Sequence, residues 1–372
     1  MQIKIYVLPE YKKSFWSTQS LKAVAAEILR KRYSADYIEA SSVTEIDFDK
    51  EFADGEKRVL LYIGYSLWQT PTDLSYLAEH GIHTLLLNYE SNNFTGSCSR
   101  VLLNYRDAIE KCVGYLTANG HDRIALIGVN PHSTVDMLKK DRFSEYLRMK
   151  GEDPARSVYY NNGSVEGCLE SFLHSRADYN AVICVNDVSA LALLRRLKET
   201  DLRVPEDLYV ISCGFSTMLA EHAAPTLTTV SADQNEIGAQ AVQAYASLIK
   251  NPGDITLTVR VAPKLVVRGS TNFDPDPGTV VAPSLPSPAP LFDFYADPDA
   301  KSFFNAESLL LGSDELDRGI LAGILSGETY ASIAERLYTS ENVISYRLKR
   351  MFKITGCEKK SELLALLTPY FN

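Results

Sequence analysis

The sequence predicts an α/β protein with a small all-α module at its end. Three observations carry this. Over residues 1–271, short β-branched and aliphatic runs alternate with amphipathic stretches, the pattern of a parallel sheet covered on both faces. Between residues 272 and 304 the composition turns proline-rich. Beyond it, two amphipathic helices follow each other with almost no room between them, which is the spacing of a helix-turn-helix.

The bounds agree with this class. At 372 residues the chain has room for two or three domains, and 45% hydrophobic with 23% charged residues is ordinary for a soluble globular protein. The net charge of -9 argues against indiscriminate nucleic-acid binding over the whole surface, but not against one local basic helix. The six cysteines are scattered without a CxxC or His–Cys cluster, so neither a disulfide framework nor a zinc site is expected. No apolar run with a cleavage site opens the chain and no long apolar span follows, so a cytoplasmic protein without a membrane partner is expected. The histidines show no HExxH spacing, and there is no GxSxG elbow or Walker loop. Gly128-Val129-Asn130 is too short for a dinucleotide fingerprint. No catalytic residue, cofactor or metal is expected.

Taken in order, candidate strands lie at 3–8, 59–63, 84–87, 124–128, 181–185 and 209–211, with helical patterns at 17–32, 72–80, 106–118, 137–149, 165–174 and 188–198. This could build one large sheet, a barrel or two similar lobes. Two lobes are favoured by three local signals. A fresh strand starts at Gly120-His121-Asp122-Arg123-Ile124, a Pro-led β-branched run at Pro225-Thr226-Leu227-Thr228 suits a crossover, and Leu265-Val266-Val267-Arg268 closes the region. Residues 272–304 hold seven prolines, from Pro275 to Pro298, and read as an extended, semi-rigid linker. Its apolar patch, with Phe292, Phe294 and Tyr295, either docks on a folded surface or stays unpacked.

In the terminal module the first helix covers about 330–337, where Ile333 and Leu337 share a face beside small Ala334. The second starts after Ser340, a good N-cap, with Glu341 in its first turn. Ile344, Leu348 and Met351 form its apolar stripe. Asn342, Tyr346, Lys349, Arg350 and Lys353 fall opposite, a basic face with one aromatic that suits the DNA major groove.

Residues 313–367 resemble the LuxR/GerE-type helix-turn-helix of bacterial transcription factors. The likeness runs through Ile320-Leu321, Leu325-Ser326-Gly327, Ile333-Ala334-Glu335-Arg336-Leu337, Ser340-Glu341, Val343-Ile344, Gly356 and Ser361-Glu362-Leu363. It implies DNA contacts from Thr339, Ser340, Asn342, Ser345, Tyr346, Lys349, Arg350 and Lys353. Ser345 stands where relatives often carry a base-reading Lys. Residues 1–271 resemble the sensor of LacI-type repressors, through Ile183-Cys184-Val185-Asn186-Asp187, Val204-Pro205-Glu206-Asp207-Leu208 and the segments at 120–128, 225–230 and 265–271. That likeness implies the periplasmic-binding-protein fold: two Rossmann-like lobes joined by three crossovers, with a small molecule in the cleft. Lobe 1 would hold about 1–120 and 231–252, and lobe 2 about 121–226 and 257–271. A linker at 272–304 and a DNA-binding module at 305–372 would follow.

Asp187 lies just past an apolar run, where ligands of open α/β sheets bind. It can accept hydroxyls of a polyol, or cap the following helix. The resemblance places the ligand-binding Asp of the family on Asp187. It adds Lys139 at the position of a clamping Arg, Asn104 where many relatives have Asp, and Phe215-Ser216 after Gly214. Phe15 and Trp16 fall where an aromatic commonly stacks on ligand, and Tyr65 and Asn88 follow the second and third strands. The expected protein is a cytoplasmic transcription regulator whose effector is a sugar or sugar-like metabolite. It would bind operator DNA as a homodimer, because one helix-turn-helix covers only a half-site. The alternative is a solute-binding protein delivering a small molecule to a transporter.

Overall fold

A computed structural model describes residues 1–371 apart from 13–14, 54, 56, 65–68, 90–97, 215–217, 252–254 and 272–296. The first stretch builds β1 (Gln2–Val7), α1 (Phe15–Arg30), β2 (Ser34–Tyr37), α2 (Phe48–Glu51), β3 (Val59–Ile63), α3 (Gln69–Glu79), β4 (His83–Leu87) and β5 (Cys98–Leu103). Then come α4 (Tyr105–Ala118), β6 (Ile124–Val129), α5 (Thr134–Met149), α6 (Pro154–Ser157), β7 (Val158–Tyr160), α7 (Val165–His174), β8 (Ala181–Cys184) and α8 (Asp187–Leu197). The sensor region closes with β9 (Tyr209–Ser212), α9 (Met218–His222), β10 (Thr228–Ser231), α10 (Gln234–Lys250), β11 (Thr258–Val261) and β12 (Lys264–Val266).

These strands form two six-stranded sheets, ordered β11-β5-β4-β3-β1-β2 and β12-β10-β9-β8-β6-β7. The first is parallel throughout. In the second only β12 runs antiparallel, against β10. Strand side chains alternate between faces, so one strand feeds two cores. Ile3, Ile5 and Val7 of β1 join the core under α1 and α10, while Tyr6 joins the core under α3. In β6, Ala125 and Ile127 face α7 and α8, and Ile124 and Leu126 face α4 and α5. The two-lobed α/β architecture is therefore observed.

The crossings differ from the expected lobe limits. Ala108, Ile109 and Cys112 of α4 pack in the core of the second sheet, so the chain changes lobes at Asn104 and not near 120. Strand β11 pairs with β5 in the first sheet, so the last crossing falls between Val261 and Lys264 and not before 257. An amphipathic helix does not say which sheet it covers; that is decided by its partners.

Across the first sheet α1 lies hard against α10. A Cβ on Gly238 would stand 2.5 Å from the backbone carbon of Ala23. This close approach lets Val24 and Ile28 of α1 reach Ile237, Ala241 and Tyr245 of α10.

The final helices are α11 (Pro298–Leu311), α12 (Glu315–Leu325), α13 (Tyr330–Arg336), α14 (Glu341–Thr355) and α15 (Lys360–Leu367). Residues 298–304, expected to end the linker, are instead the first half of α11. Asp297 caps it through the N–H groups of Asp299 and Ala300, and Pro298 takes the first turn, where its missing N–H costs nothing. The patch with Phe292, Phe294 and Tyr295 lies outside the described residues. Asp314 and Asp317 form a capping box at α12. Helix α13 approaches α12 because Gly319 and Gly323 lack side chains: a Cβ on Gly323 would meet Ile333 at 2.6 Å, and one on Gly319 would meet Leu337 at 2.8 Å. Ser340 caps α14 by accepting from Val343 N–H, and Gly356 ends it at a φ of 72°.

The terminal helices do not pack apart from the second lobe. Ile320, Ile333, Ile344, Leu348 and Met351 share one continuous apolar core with Phe303 and Leu309 of α11 and with α8 and the outer face of the second sheet. No described helix is long and apolar enough to cross a membrane.

Replacing Gly238 with Ala should raise helix propensity by about 1 kcal/mol. The added carbon meets backbone, which cannot swing aside, and overpacking of this kind costs about 1–3 kcal/mol. A net destabilisation of up to about 2 kcal/mol is expected in urea unfolding. A stabilised variant would show that α1 and α10 do not pack this closely.

Candidate functional site

The carboxyl ends of β6, β8 and β9 gather several of the expected cleft residues. Gly128, at a φ of 86°, allows this: a Cβ there would lie 2.2 Å from Ser189 Oγ. The start of α8 therefore sits deep against β6. Asn186 is its N-cap, accepting from Ser189 N–H at 2.9 Å. Asp187 is thus not the cap, correcting that alternative; it is the first residue of the helix, and it is wholly buried. Ser212 donates its hydroxyl to Asp187 Oδ1. Gly214 makes room for this carboxylate, since a Cβ there would stand 3.1 Å from Oδ1.

Lys139 projects from α5 to the same end of the sheet. Its ammonium donates to the Val185 carbonyl at 2.7 Å, lies 3.7 Å from Asp136 and sits 5.4 Å from the ring centre of Tyr105. Lys139, at the position where the resemblance puts a clamping Arg, is buried and bonded to backbone. Burial pushes the Asp136 carboxyl up to about 6, against the pull of Lys139. Asn104 caps α4 at the first crossing, accepting from Asp107 N–H at 3.4 Å, and its own N–H donates to the Val261 carbonyl at 2.9 Å. It ties two of the crossings together and has a structural task at the place where a ligand contact was expected.

In the first lobe Asn88 has a φ of 57° and donates to Ser20 Oγ at 3.0 Å. Phe15 begins α1 and is buried. Its ring lies against Phe304 of α11, with centroids 5.6 Å apart and planes 23° apart. Tyr65, Phe215 and Ser216 lie outside the described residues, as does the side chain of Trp16.

Two residues in this region were not singled out in the sequence. Asn161, just past β7, is buried with its Oδ1 unpartnered among the described residues. Its position after a short strand at a sheet edge was the only available signal. Glu307 of α11 is buried too, and the backbone N–H groups of Met218 and Leu219 donate to its two oxygens at 2.8 and 2.9 Å. Burial pushes this carboxyl up to about 7, against the pull of those two amides and with a smaller push from the Asp187 charge. Nothing near Glu307 in sequence announces this.

In the terminal helices, Ser340, Asn342, Tyr346, Lys349, Arg350 and Lys353 are exposed, and Thr339 and Ser345 are half-buried. Tyr346 is 71% exposed. Lys349 and Lys353 make no ion pair among the described residues. Arg350 is different: it bonds the carboxylate of Asp317 and the Gly312 carbonyl. Arg347 likewise holds Asp314 at 2.5 Å and Asp317 at 3.1 Å. As a free DNA contact Arg350 is corrected, because it neutralises the fully buried Asp317 of the α12 capping box.

Residues 113–271 match the family model described as a periplasmic binding protein-like domain. The HTH-type transcriptional repressor PurR of Vibrio vulnificus is 38% identical over 164 residues, which cover 41% of this chain and 47% of that protein. PurR of Vibrio atlanticus is 30% identical over 166 residues, 42% of this chain and 48% of that one. The chain spans about half the length of the curated relatives it matches. Among solved structures, the complex of the transcriptional regulator CelR with cellobiose superposes with a TM-score of 0.59 at 19% identity, over 72% of this chain and 84% of that one. The lac repressor dimer bound to operator and the anti-inducer ONPF gives 0.58 at 19% identity, over 73% and 81%. At these identities the structural likeness concerns the fold alone.

Glu307 makes stability depend on pH in a set direction. A carboxyl raised from an ordinary 4.5 to about 7 holds its proton more tightly folded than unfolded. Its contribution is present below about 4.5 and is lost as pH rises to about 7. Glu307→Gln cannot ionise, so it should gain on the wild type across that window, by on the order of 1–3 kcal/mol, and level off above it. A difference in melting temperature that stays constant from pH 4.5 to 8 would show that Glu307 is not buried as described.

Proposed function

We propose that this chain is a ligand-responsive transcription regulator. A small molecule, a sugar or sugar-like metabolite, binds between the lobes at Asp187. The exposed face of α14 binds operator DNA in the manner of a LuxR-type helix-turn-helix, and two copies act together in the cytoplasm. The observation that carries the reading is the division of charge on α14. Lys349 and Lys353, with Tyr346 and Asn342, project outward, while Arg347 and Arg350 are turned back onto α12. A solvated surface helix has no need of this arrangement. A helix that presents cations and an aromatic to a groove does.

The cleft supports the other half. Asp187 is a carboxylate just past β8, fixed by Ser212; Lys139 of α5 reaches the Val185 carbonyl at the same strand end, and Asn161 follows β7 on the far side of β6. Such a set can accept and donate hydrogen bonds to a hydroxyl-rich molecule, and the curated relatives are repressors by name. A paired module is favoured because one reading helix meets only one half-site, and a partner must lie about one DNA turn away.

Selection of bound duplexes from a random pool, followed by gel shifts, tests the DNA half. Lys349→Ala and Lys353→Ala should each lower the salt slope of binding by about one, and Tyr346→Ala should relax preference at one position by about 1–3 kcal/mol. Arg350→Ala should act on the stability of the terminal helices instead. If the lysine and tyrosine variants all bind like the wild type, α14 does not lie in the groove. For the cleft, Asp187→Asn should weaken effector binding roughly tenfold or more, the worth of one charge-assisted hydrogen bond. Wild-type affinity in calorimetry would remove Asp187 from the site.

A further inference from the structure

Helix α11 touches both lobes at the positions where a small molecule would be held. In the first lobe, Phe304 stacks on Phe15 and Phe303 meets the same ring edge-on at 6.5 Å. In the second, Glu307 binds the amides that open α9, and Asp299 pairs with Arg195 of α8 at 2.7 Å. The Glu307 and Asp187 carboxylates are close enough to influence each other. Asp187, which opens the same α8 that Arg195 closes, has no exposed surface at all. A hydroxyl arriving from solvent cannot reach Asp187 while that surface stays covered.

From this geometry we propose that α11 is an internal occupant of the cleft mouth, so that its docking and the binding of a small molecule at Asp187 exclude each other. The inference rests on reading the cleft as the effector site, and it supplies the regulation of that site. The same helix is fastened to the terminal module. Asn305 donates to the Thr355 carbonyl at the end of α14 at 3.0 Å, and Phe303 and Leu309 share a core with Ile344 and Leu348. Release of α11 therefore carries α14 away from the sensor. Because Tyr346, Lys349 and Lys353 are already exposed in the docked state, docking does not hide the reading face. It fixes where that face stands relative to the sensor, and so relative to a second copy on the same DNA. The dissociation constant for the small molecule is divided by the undocked fraction, so any change that frees α11 lowers it.

The experiment compares the full-length protein with Phe304→Ala/Glu307→Ala, which removes the contact to each lobe, and with the milder Arg195→Ala. Hydrogen exchange reads docking without any ligand. The amides of Met218 and Leu219 should exchange at least tenfold faster in the double variant, and to a lesser degree in Arg195→Ala, while α12 to α15 keep their protection. Unchanged exchange at 218–219 in both would overturn the docking. A panel of cellobiose, D-glucose, D-ribose, adenine and guanosine is then screened by thermal shift, and each hit is titrated by calorimetry. A dissociation constant at least tenfold lower in the double variant supports exclusion. Equal or weaker binding in the variants would make α11 a bystander or a lid that completes the site, and would overturn the inference while leaving the effector reading intact. Failure of every probe on all three proteins would count against the effector reading itself, and with it against the inference.

Discussion

The relation between the two halves of this chain depends on one buried carboxylate. Taking Glu307 out of water costs several kcal/mol unless its oxygens find donors. Two backbone N–H groups of α9 supply them, at 2.8 and 2.9 Å, and bonds of this charge-assisted kind are the stronger ones. The carboxyl is still pushed up to about 7, so the offset is incomplete. Stacking of Phe304 on Phe15 and the shared core with α8 make up the difference. An interface with a polar centre and apolar flanks is less firmly closed than a wholly apolar one of the same area. That balance suits a contact meant to open.

The lobes themselves are joined by a second polar device. Asn104 caps α4 and donates its own N–H to the Val261 carbonyl. Two of the three crossings are therefore tied at one residue. Since α4 packs in the second core from its first turn, rotation of one lobe on the other must be taken up around Asn104, Ala232–Asp233 and Ala262–Pro263. A residue in that role resists replacement for reasons unrelated to ligand.

What the sequence disclosed and what it hid divide along the range of the forces involved. Ser340 before Glu341 announces the start of α14, and Ile344, Leu348 and Met351 announce its buried stripe, because caps and helical period act within a few residues. The two-lobe alternation was legible for the same reason. The lobe to which α4 belongs was not, since its amphipathic pattern fits either sheet. The first half of α11 was read as linker because Pro298 was counted with the prolines before it, although after Asp297 it marks a helix start. Glu307 could not be read at all: its partners lie 88 and 89 residues away. Arg350 and Lys349 are neighbours on one face of the helical wheel, yet only tertiary structure shows that the arginine belongs to Asp317.

The inward turn of Arg347 and Arg350 has a consequence for how a regulator of the proposed kind would search a genome. Grip on arbitrary duplex comes almost wholly from cations that displace condensed counterions. Here α14 offers on its outward face two lysines without an ion pair among the described residues, on a chain of net charge -9. Contact with random sequence is then brief, with short slides and frequent return to solution. Residence at a site must come from base edges and from a second copy bound alongside, so such a protein would occupy few places and leave the rest of the chromosome nearly untouched.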